Sequence, residues 1–284
     1  MPMSPRMLRP RSTGFHPEAQ AWRNAVVANG GSVSGSTLAA VSTFCRSIDA
    51  AGIRDRFLRL NLLTGDNISA ALVPLFRGES RTSSQAGNTT DINTNFVSGD
   101  YALASGLDSN AQSKSLNTGV FANSLTASDA HLGAGILRSN TIAATNFPAI
   151  IGAFNGTTVS FALSARFNSA SQRAASFTRF GTSTDTFGDD IGTGASSLAA
   201  GNVVAAWPTM YRNGVATGTN ATTSQNYPSA HALFVFASSV TGTSANNFSN
   251  VRLGWYSIGR TFTSEQVVAF NSALSRFYSD IGRS

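Results

Sequence analysis

The sequence lacks several features that would point to whole classes of protein. It has one cysteine, Cys45, so an intramolecular disulfide and a multi-thiolate metal site are excluded. Cys45 lies at an apolar position of a predicted helix, which favours a buried, inert thiol. No apolar run reaches the roughly 18 residues of a membrane span, and no apolar stretch of a signal peptide follows the basic N-terminus. We therefore expect no membrane insertion, and synthesis in the cytoplasm.

Charge is also scarce, and it is unevenly placed. Charged residues make up 12% of the chain, and Lys114 is the only lysine among 20 basic residues. The others are arginines, whose planar guanidinium groups suit protein interfaces. Residues 1–60 hold eight arginines against three acidic residues, whereas the remainder is nearly neutral. Nucleic-acid binding needs a basic patch with aromatic platforms or a recognition motif. Because the C-terminal part supplies neither, we expect no nucleic-acid partner.

Familiar catalytic motifs are missing as well. The chain has no G-x-S-x-G elbow, no H-E-x-x-H, no P-loop and no dinucleotide fingerprint. Glycosidases need two carboxylates that face the scissile bond, and no acidic pair falls on a predicted strand. The candidate acids and bases are three glutamates and three histidines that lie far apart in sequence: Glu18, Glu79, Glu265, His16, His131 and His231. The sequence therefore predicts no catalytic residue, no cofactor and no enzyme.

One acidic segment, "TSTDTFGDDIG", allows two interpretations. Asp185, Asp189 and Asp190 lie between glycines and could offer hard oxygen ligands to calcium. The spacing lacks the regularity of an EF-hand loop, so a solvated hairpin loop is the favoured interpretation. No metal site is predicted, and calcium binding stays open.

The front of the chain differs from the rest. Residues 1–14 contain three prolines and the arginines Arg6, Arg9 and Arg11 without an acidic residue, which predicts an extended basic arm. Residues 15–75 begin with two amphipathic helices, the second with Ser36 as its expected N-cap. Residues 76–100 are a long polar stretch without apolar periodicity, interpreted as a linker loop. These three segments precede the domain that we assign to residues 101–284.

That last domain is predicted to be mainly β. Nine short apolar runs, from "KSLNTGVF" at Lys114 to "VRLGWYSIG" at Gly259, are separated by Gly, Asn, Ser and Asp clusters, which indicates a sandwich or jelly roll. In "MYRNGVATG" the Asn213-Gly214 pair predicts a tight hairpin turn. Alternating aromatic residues such as Trp207 and Trp255 are expected in the core. Thr263 and Gln266 form a capping box before an amphipathic C-terminal helix.

Two stretches of the C-terminal domain resemble a known fold family. "MYRNGVATG" and the later "LGWYSIGRTFTSEQVVAFNSAL" are similar to laminin G-like or concanavalin A-like jelly rolls, which carry an Asn-Gly hairpin ahead of a "G-x-x-x-x-S-x-G-R" segment and a closing helix. The matching positions of the second segment are Gly254, Ser257, Gly259 and Arg260. The resemblance implies a concanavalin A-like jelly-roll sandwich with an N-terminal two-helix segment. Some such domains bind calcium or glycans, but no calcium ligand carries over residue by residue.

The front of the chain resembles a different set of proteins. The block from "HPEAQAWRNAVVANGG" to "SAALVPL", followed by "NFVSGDY" and "GLDSNAQSKSLNTG", is similar to virion-associated proteins of tailed bacteriophages. The resemblance implies a structural component of the virion, either a capsid decoration or a tail or fibre protein. Its expected partners are other virion proteins, contacted through Arg6, Arg9 and Arg11, and further copies of itself, with a trimer as the leading arrangement. The alternative is an adhesin that binds host-surface glycan.

Overall fold

The computed structural model describes residues 14–79, 86–110, 112–126, 129–139, 148–154, 160–164, 173–179, 185–190, 201–219, 230–240 and 244–283. Arg6, Arg9 and Arg11 lie outside these residues, as does most of the segment interpreted as an extended arm. Side chains of residues 173–179 and 185–190 are not described, so those two strands enter through their backbone alone.

Four α-helices occur in the described chain: α1 Pro17–Ala28, α2 Gly35–Ala50, α3 Ile68–Ala71 and α4 Ser264–Asp280. Their ends follow from side-chain caps that satisfy the first free N–H groups. Ser34, not Ser36 as expected, caps α2, because its Oγ accepts from Thr37 N at 3.2 Å. The capping box of α4 is confirmed, with Thr263 N donating to Gln266 Oε1 at 3.0 Å.

The strands are short, and they form two sheets of nine among the described residues. Their bounds are β1 Phe57–Asn61, β2 Phe76–Arg77, β3 Ile92–Thr94, β4 Tyr101–Ala102, β5 Gly106–Asp108, β6 Ser115–Phe121, β7 His131–Ser139, β8 Ala149–Phe154, β9 Ser160–Ser164, β10 Arg173–Arg179, β11 Asp185–Asp190, β12 Gly201–Ala206, β13 Thr209–Arg212, β14 Val215–Thr219, β15 Ala232–Val235, β16 Ser238–Val240, β17 Ser244–Asn246 and β18 Val251–Gly259.

The protein is a mainly β sandwich with a C-terminal helix. The first sheet runs β14-β13-β12-β7-β18-β1-β2, with β5 and β4 beside β18. The second runs β11-β10-β9-β8-β15-β6-β3, with β16 and β17 beside β8. The predicted jelly roll is not established by this order, because β8 to β11 and β12 to β14 are consecutive antiparallel meanders that each stay within one sheet.

Two cores divide the molecule into three layers. The first core fills the space between the sheets, and the second lies between the outer face of the first sheet and helices α1, α2 and α4. Side chains of β12 show why one strand serves both cores: Val203 and Ala205 belong to the inter-sheet core, and Val204 and Ala206 to the helix-facing core. This alternation is the two-residue period of a strand buried on both faces.

The Asn213-Gly214 hairpin is confirmed. β13 and β14 pair directly, with Arg212 opposite Val215. Asn213 and Gly214 both adopt positive φ angles of 51° and 83°, which a two-residue type I′ turn requires. Asn213 Oδ1 accepts from Asn202 N at 2.8 Å, and Asn202 Nδ2 donates to Asn271 of α4 at 2.9 Å. The turn is thereby tied to the closing helix as part of the scaffold.

The stretch interpreted as a linker, residues 76–100, contributes ordered structure where it is described. β2 pairs with β1 in the first sheet, and β3 pairs with β6 in the second. Between them Asp91 is 2% exposed, and its backbone N donates to Leu72 O at 2.9 Å. Because β2 and β3 end their respective sheets, this part of the chain lines one open edge of the sandwich.

Candidate functional site

A groove of about 580 Å³ lies at this open edge. Its walls are formed by residues 86–88, by the outer positions of β6, and by the turn that follows β6: Leu58, Ala86, Gly87, Asn88, Asn117, Gly119, Val120, Phe121, Ser124 and Ala232 line it. Phe121 is 47% exposed, which places a large aromatic ring in contact with solvent. The volume falls within the roughly 300–1,000 Å³ of small-molecule sites.

Two glycines bring the groove walls together. Gly87 and Gly119 have positive φ angles of 74° and 69°, which favour glycine over any side chain. A Cβ on Gly119 would lie 2.6 Å from Asn88 N, and one on Gly87 would collide with Thr118 O. Asn88 can therefore pair with β6, donating from its backbone N to Thr118 O at 2.9 Å and from Nδ2 to Asn117 O at 3.0 Å.

The groove also offers amide groups. Asn117 Oδ1 accepts from Gly119 N at 2.8 Å, while Asn117 Nδ2 has no hydrogen-bond partner among the described residues. Asn88 Oδ1 is likewise without a donor within the described part of the chain. An amide N–H and an amide carbonyl are thus left for solvent or a ligand.

A buried ion pair holds the wall formed by residues 86–88. Arg59 of β1 is fully buried, and its guanidinium donates to the carbonyls of Ala86 and Asn88 at 2.9 and 2.5 Å. Arg59 Nη2 also lies 2.5 Å from Asp91 Oδ1. Tyr256 Oη donates to the same carboxylate at 2.7 Å, and Asn61 Nδ2 donates to it at 2.8 Å. Three side chains from two strands, β1 and β18, thereby bind one carboxylate.

The charges in this cluster shift the acidities of the residues around it. Burial raises the pKa of Tyr256 well above its ordinary value, and the adjacent Asp91 charge raises it further. Burial alone would lower the pKa of Arg59, but Asp91 and Tyr256 more than offset that, so the pKa is raised. The guanidinium therefore stays charged and the phenol stays neutral. Since these side chains are inaccessible, the cluster supports the groove and does not contact a ligand.

A second, polar pocket of about 230 Å³ adjoins the groove, because Leu58 and Ser124 line both. Glu79, Asp129 and Arg260 form its charged walls. Arg260 donates to Glu79 through Nε and Nη2 at 3.0 and 2.8 Å, a bidentate ion pair. Asp129 Oδ1 accepts from Thr261 N at 3.0 Å.

His131 lies behind this pocket and anchors its wall. Its Nδ1 is 2.6 Å from the carbonyl of Arg260, so Nδ1 carries the proton, and Nε2 accepts from Ser257 Oγ at 3.0 Å. The ring is fully buried beside Phe57 and Phe262. Burial lowers the pKa of His131 to about 4. The imidazole is therefore neutral and serves as a core residue.

The other residues singled out in the sequence are dispersed. Asp185, Asp189 and Asp190 lie on β11, the end strand of the second sheet, so the hairpin-loop interpretation of this segment was wrong: an antiparallel partner, β10, continues across it. His16 caps α1 and pairs with Asp49 at 2.9 Å. Trp207 and Trp255 are buried, which confirms their core assignment. Among the described residues, no group of three His, Cys, Asp or Glu could hold a metal ion.

The groove residues were missed for an identifiable reason. Glu79, Asp129 and Arg260 of the polar pocket come from three distant parts of the chain, so no local pattern connects them. Phe121 closes an apolar strand and carries no signal that distinguishes it from a core residue.

None of the described helices combines the length and hydropathy needed to span a membrane.

No protein-family model and no curated protein matches the chain. Several solved structures resemble it at low identity, among them the following three. Domain 4 of AbnA, a GH43 extracellular arabinanase from Geobacillus stearothermophilus in complex with arabinotriose, has 9% identity and a TM-score of 0.40, covering 67% of this chain and 84% of the domain. A Trypanosoma rangeli sialidase complex has 10% identity and a TM-score of 0.38, covering 82% and 39%. The enzymatically active domain of bacteriophage CBA120 tailspike protein 2 has 13% identity and a TM-score of 0.36, covering 72% and 33%.

These neighbours correct one prediction made from the sequence. The missing motifs led to the prediction that the chain is not an enzyme, yet a domain of an arabinanase, a sialidase and an enzymatically active tailspike domain occur among the structures it resembles. That prediction is withdrawn, because a motif search does not detect carboxylates that only folding brings together, such as Glu79 and Asp129. Similarity at this level assigns no activity or substrate to the chain; the chain spans well under half of the sialidase and tailspike chains.

Proposed function

We propose that the protein is a carbohydrate-binding component of a bacteriophage particle, and that its groove receives the glycan. The observation that carries the proposal is the exposed ring of Phe121 in the wall of a 580 Å³ groove that also presents Asn88 and Asn117. A sugar ring has an apolar face of C–H groups and a rim of hydroxyls. It therefore fits a site that pairs an aromatic ring with amide donors and acceptors.

The polar pocket extends the same site. Carboxylates accept strong hydrogen bonds from hydroxyl groups, and Asp129 Oδ2 has no donor among the described residues. A glycan that stacks on Phe121 would reach Ser124, which lines both cavities, and then the charged walls beyond it. The groove thus provides consecutive subsites for more than one sugar ring.

The proposed location on a virion has a separate basis. It rests on the resemblance of residues 15–75 to phage virion proteins, and it includes the concanavalin A-like jelly-roll relationship, attachment to other virion proteins through Arg6, Arg9 and Arg11, and assembly of several copies. Mass spectrometry of purified particles tests the location: absence of the protein from particles that package normally would contradict it.

The test of glycan binding compares the full chain with Phe121→Ala on a glycan array, followed by calorimetry on the strongest ligand. We expect the variant to bind about tenfold more weakly or worse, because it loses the stacking face and its buried area. Phe15→Ala is the matched control, since Phe15 is also 47% exposed but precedes α1 in the helical layer.

The outcomes are distinct. Equal loss of affinity in both variants, or a blank array for the unmodified chain, would reject the groove as a glycan site. Analysis of the bound glycan for new reducing ends is part of the same experiment, and cleavage that Glu79→Gln and Asp129→Asn abolish would assign hydrolysis to the polar pocket.

A further inference from the structure

The charged pocket beside the groove contains one cation, Arg260, among its described lining residues, and that cation is already occupied. Glu79 engages both Nε and Nη2 of Arg260 at 3.0 and 2.8 Å. A guanidinium recognises a carboxylate through this same bidentate pairing. While the ion pair is intact, Glu79 takes the Nε–Nη2 edge of Arg260 and balances its charge, so that an acidic sugar gains no net positive charge from this side chain.

The remaining charge of the pocket is negative. Asp129 is the other carboxylate in the described lining, and the backbone N of Thr261 holds it in place at 3.0 Å. An anionic ligand would be brought against this carboxylate without an unpaired cation among the described lining residues to compensate, which costs free energy. A neutral sugar would instead donate a hydroxyl to Asp129.

The position of Arg260 does not depend on Glu79. Its backbone N donates to Arg56 O at 2.8 Å, and its carbonyl accepts from the buried His131 at 2.6 Å. The side chain would therefore still project from the same backbone position beside the pocket if Glu79 lost its charge. The Glu79–Arg260 pair is itself 37% and 46% exposed, so breaking it is expected to cost little stability.

We propose that Glu79 sets the ligand class of this pocket: by occupying Arg260, it restricts the site to neutral sugars and excludes sugars that carry a carboxylate, such as uronic acids. This inference rests on the proposed glycan-binding function. It adds to that function a specificity-determining residue and a predicted switch, because removing the Glu79 charge leaves Arg260 uncompensated and free to pair with a carboxylate.

The experiment uses two matched pairs of monosaccharides, glucose with glucuronate and galactose with galacturonate, titrated by NMR into the full chain at neutral pH. Each pair differs only at C6, where a hydroxymethyl group is replaced by a carboxylate. The unmodified chain should bind the neutral member of a pair more tightly. Glu79→Gln should gain about tenfold or more in affinity for the uronate, the effect of one new charge-assisted contact.

The control is Asp280→Asn, which neutralises an exposed carboxylate of an ion pair at the C-terminal end of α4, whereas Arg260 of the pocket precedes the start of that helix. It should leave both affinities unchanged and thereby exclude a general effect of net charge. An unmodified chain that binds uronates at least as well as neutral sugars would overturn the inference while the glycan-binding function stands.

Two further outcomes would also contradict the inference about Glu79. If neutral sugars bind and Glu79→Gln gains no uronate affinity, Glu79 does not control the ligand class. If neither the unmodified chain nor the variant binds any of the four sugars, the inference falls together with the proposed function. Gain of uronate binding by Glu79→Gln alone, with the control unchanged, supports the inference.

Discussion

Replacing Asp91 by asparagine should destabilise the protein more than any substitution in an exposed ion pair. The side chains of Arg59 and Asp91 are both fully buried, and Arg59 Nη2 lies 2.5 Å from Asp91 Oδ1. The asparagine amide would remove the charge that balances Arg59, and its NH2 group would face donors. Breaking a buried pair by removing one partner costs about 3–5 kcal/mol, since a buried charge is left uncompensated.

The structure also predicts how the two single losses combine. Arg59→Met should cost a similar ~3–5 kcal/mol, because the Asp91 carboxylate then stays buried and the carbonyls of Ala86 and Asn88 lose their donor. The double variant Arg59→Met/Asp91→Asn leaves neither of these two buried charges in the cluster. The free energy of unfolding that the double variant loses should therefore be smaller than the sum of the two single losses by about 2 kcal/mol or more. Interaction energies of this size are found between residues that share a network.

Urea unfolding followed by tryptophan fluorescence measures these free energies, since the tryptophans Trp22, Trp207 and Trp255 are all buried. Asp280→Asn serves as the exposed control and should cost less than about 1 kcal/mol. Two results would refute the reasoning: a loss below about 1 kcal/mol for Asp91→Asn, or additive losses in the double variant. Either would mean that solvent reaches the cluster and screens its charges.

Two further predictions concern the scaffold. Gly214→Val should lower the free energy of unfolding by about 1–2 kcal/mol, because φ is +83° at this position, and it should cause no selective loss of glycan binding. Gly99→Val, at an open position without positive φ, should not lower the free energy of unfolding. Thermal unfolding compares them, and selective loss of binding would contradict the scaffold role. The pKa of His131 is about 4 in the folded protein and ~6.5 in the unfolded chain. The neutral ring therefore contributes stability above pH ~6.5, and this stability, at most ~3 kcal/mol, is lost as the pH falls toward 4. His131→Gln should flatten this part of the stability curve relative to the unmodified chain, and parallel curves would reject the assignment.

Features of the fold that depend on neighbouring residues could be predicted from the sequence. Three such features are Pro17 at the start of α1, the Thr263 and Gln266 pair before α4, and the Asn213-Gly214 turn between β13 and β14. Each affects only the backbone a few residues away. Their physics is local, so a pattern of spacing is sufficient to place them. The coarse class, a mainly β sandwich with a closing helix, followed from the same kind of signal.

Some strands could not be predicted from the sequence because they form only where a neighbouring strand supplies their hydrogen bonds. β2 and β3 are two and three residues long and lie in a polar stretch without apolar alternation. Each is a strand because a longer neighbour, β1 or β6, supplies its hydrogen bonds. The same limit hid the polar pocket, since no spacing rule links Glu79 and Asp129 to Arg260 when three separate loops carry them.

The layering of the molecule restricts where a partner or ligand can bind. Aromatic residues of the first sheet, such as Tyr211 and Trp255, are buried between that sheet and the helices, so they cannot form a sugar platform. Helices α1 and α2 use their apolar faces in the same core, which leaves only their outer faces, with Val27 60% exposed, for the proposed attachment to a particle. A particle contact through the helices and a glycan in the groove of Phe121 would therefore involve different surfaces. The two halves of the proposed function are compatible in one molecule because neither requires the other's residues.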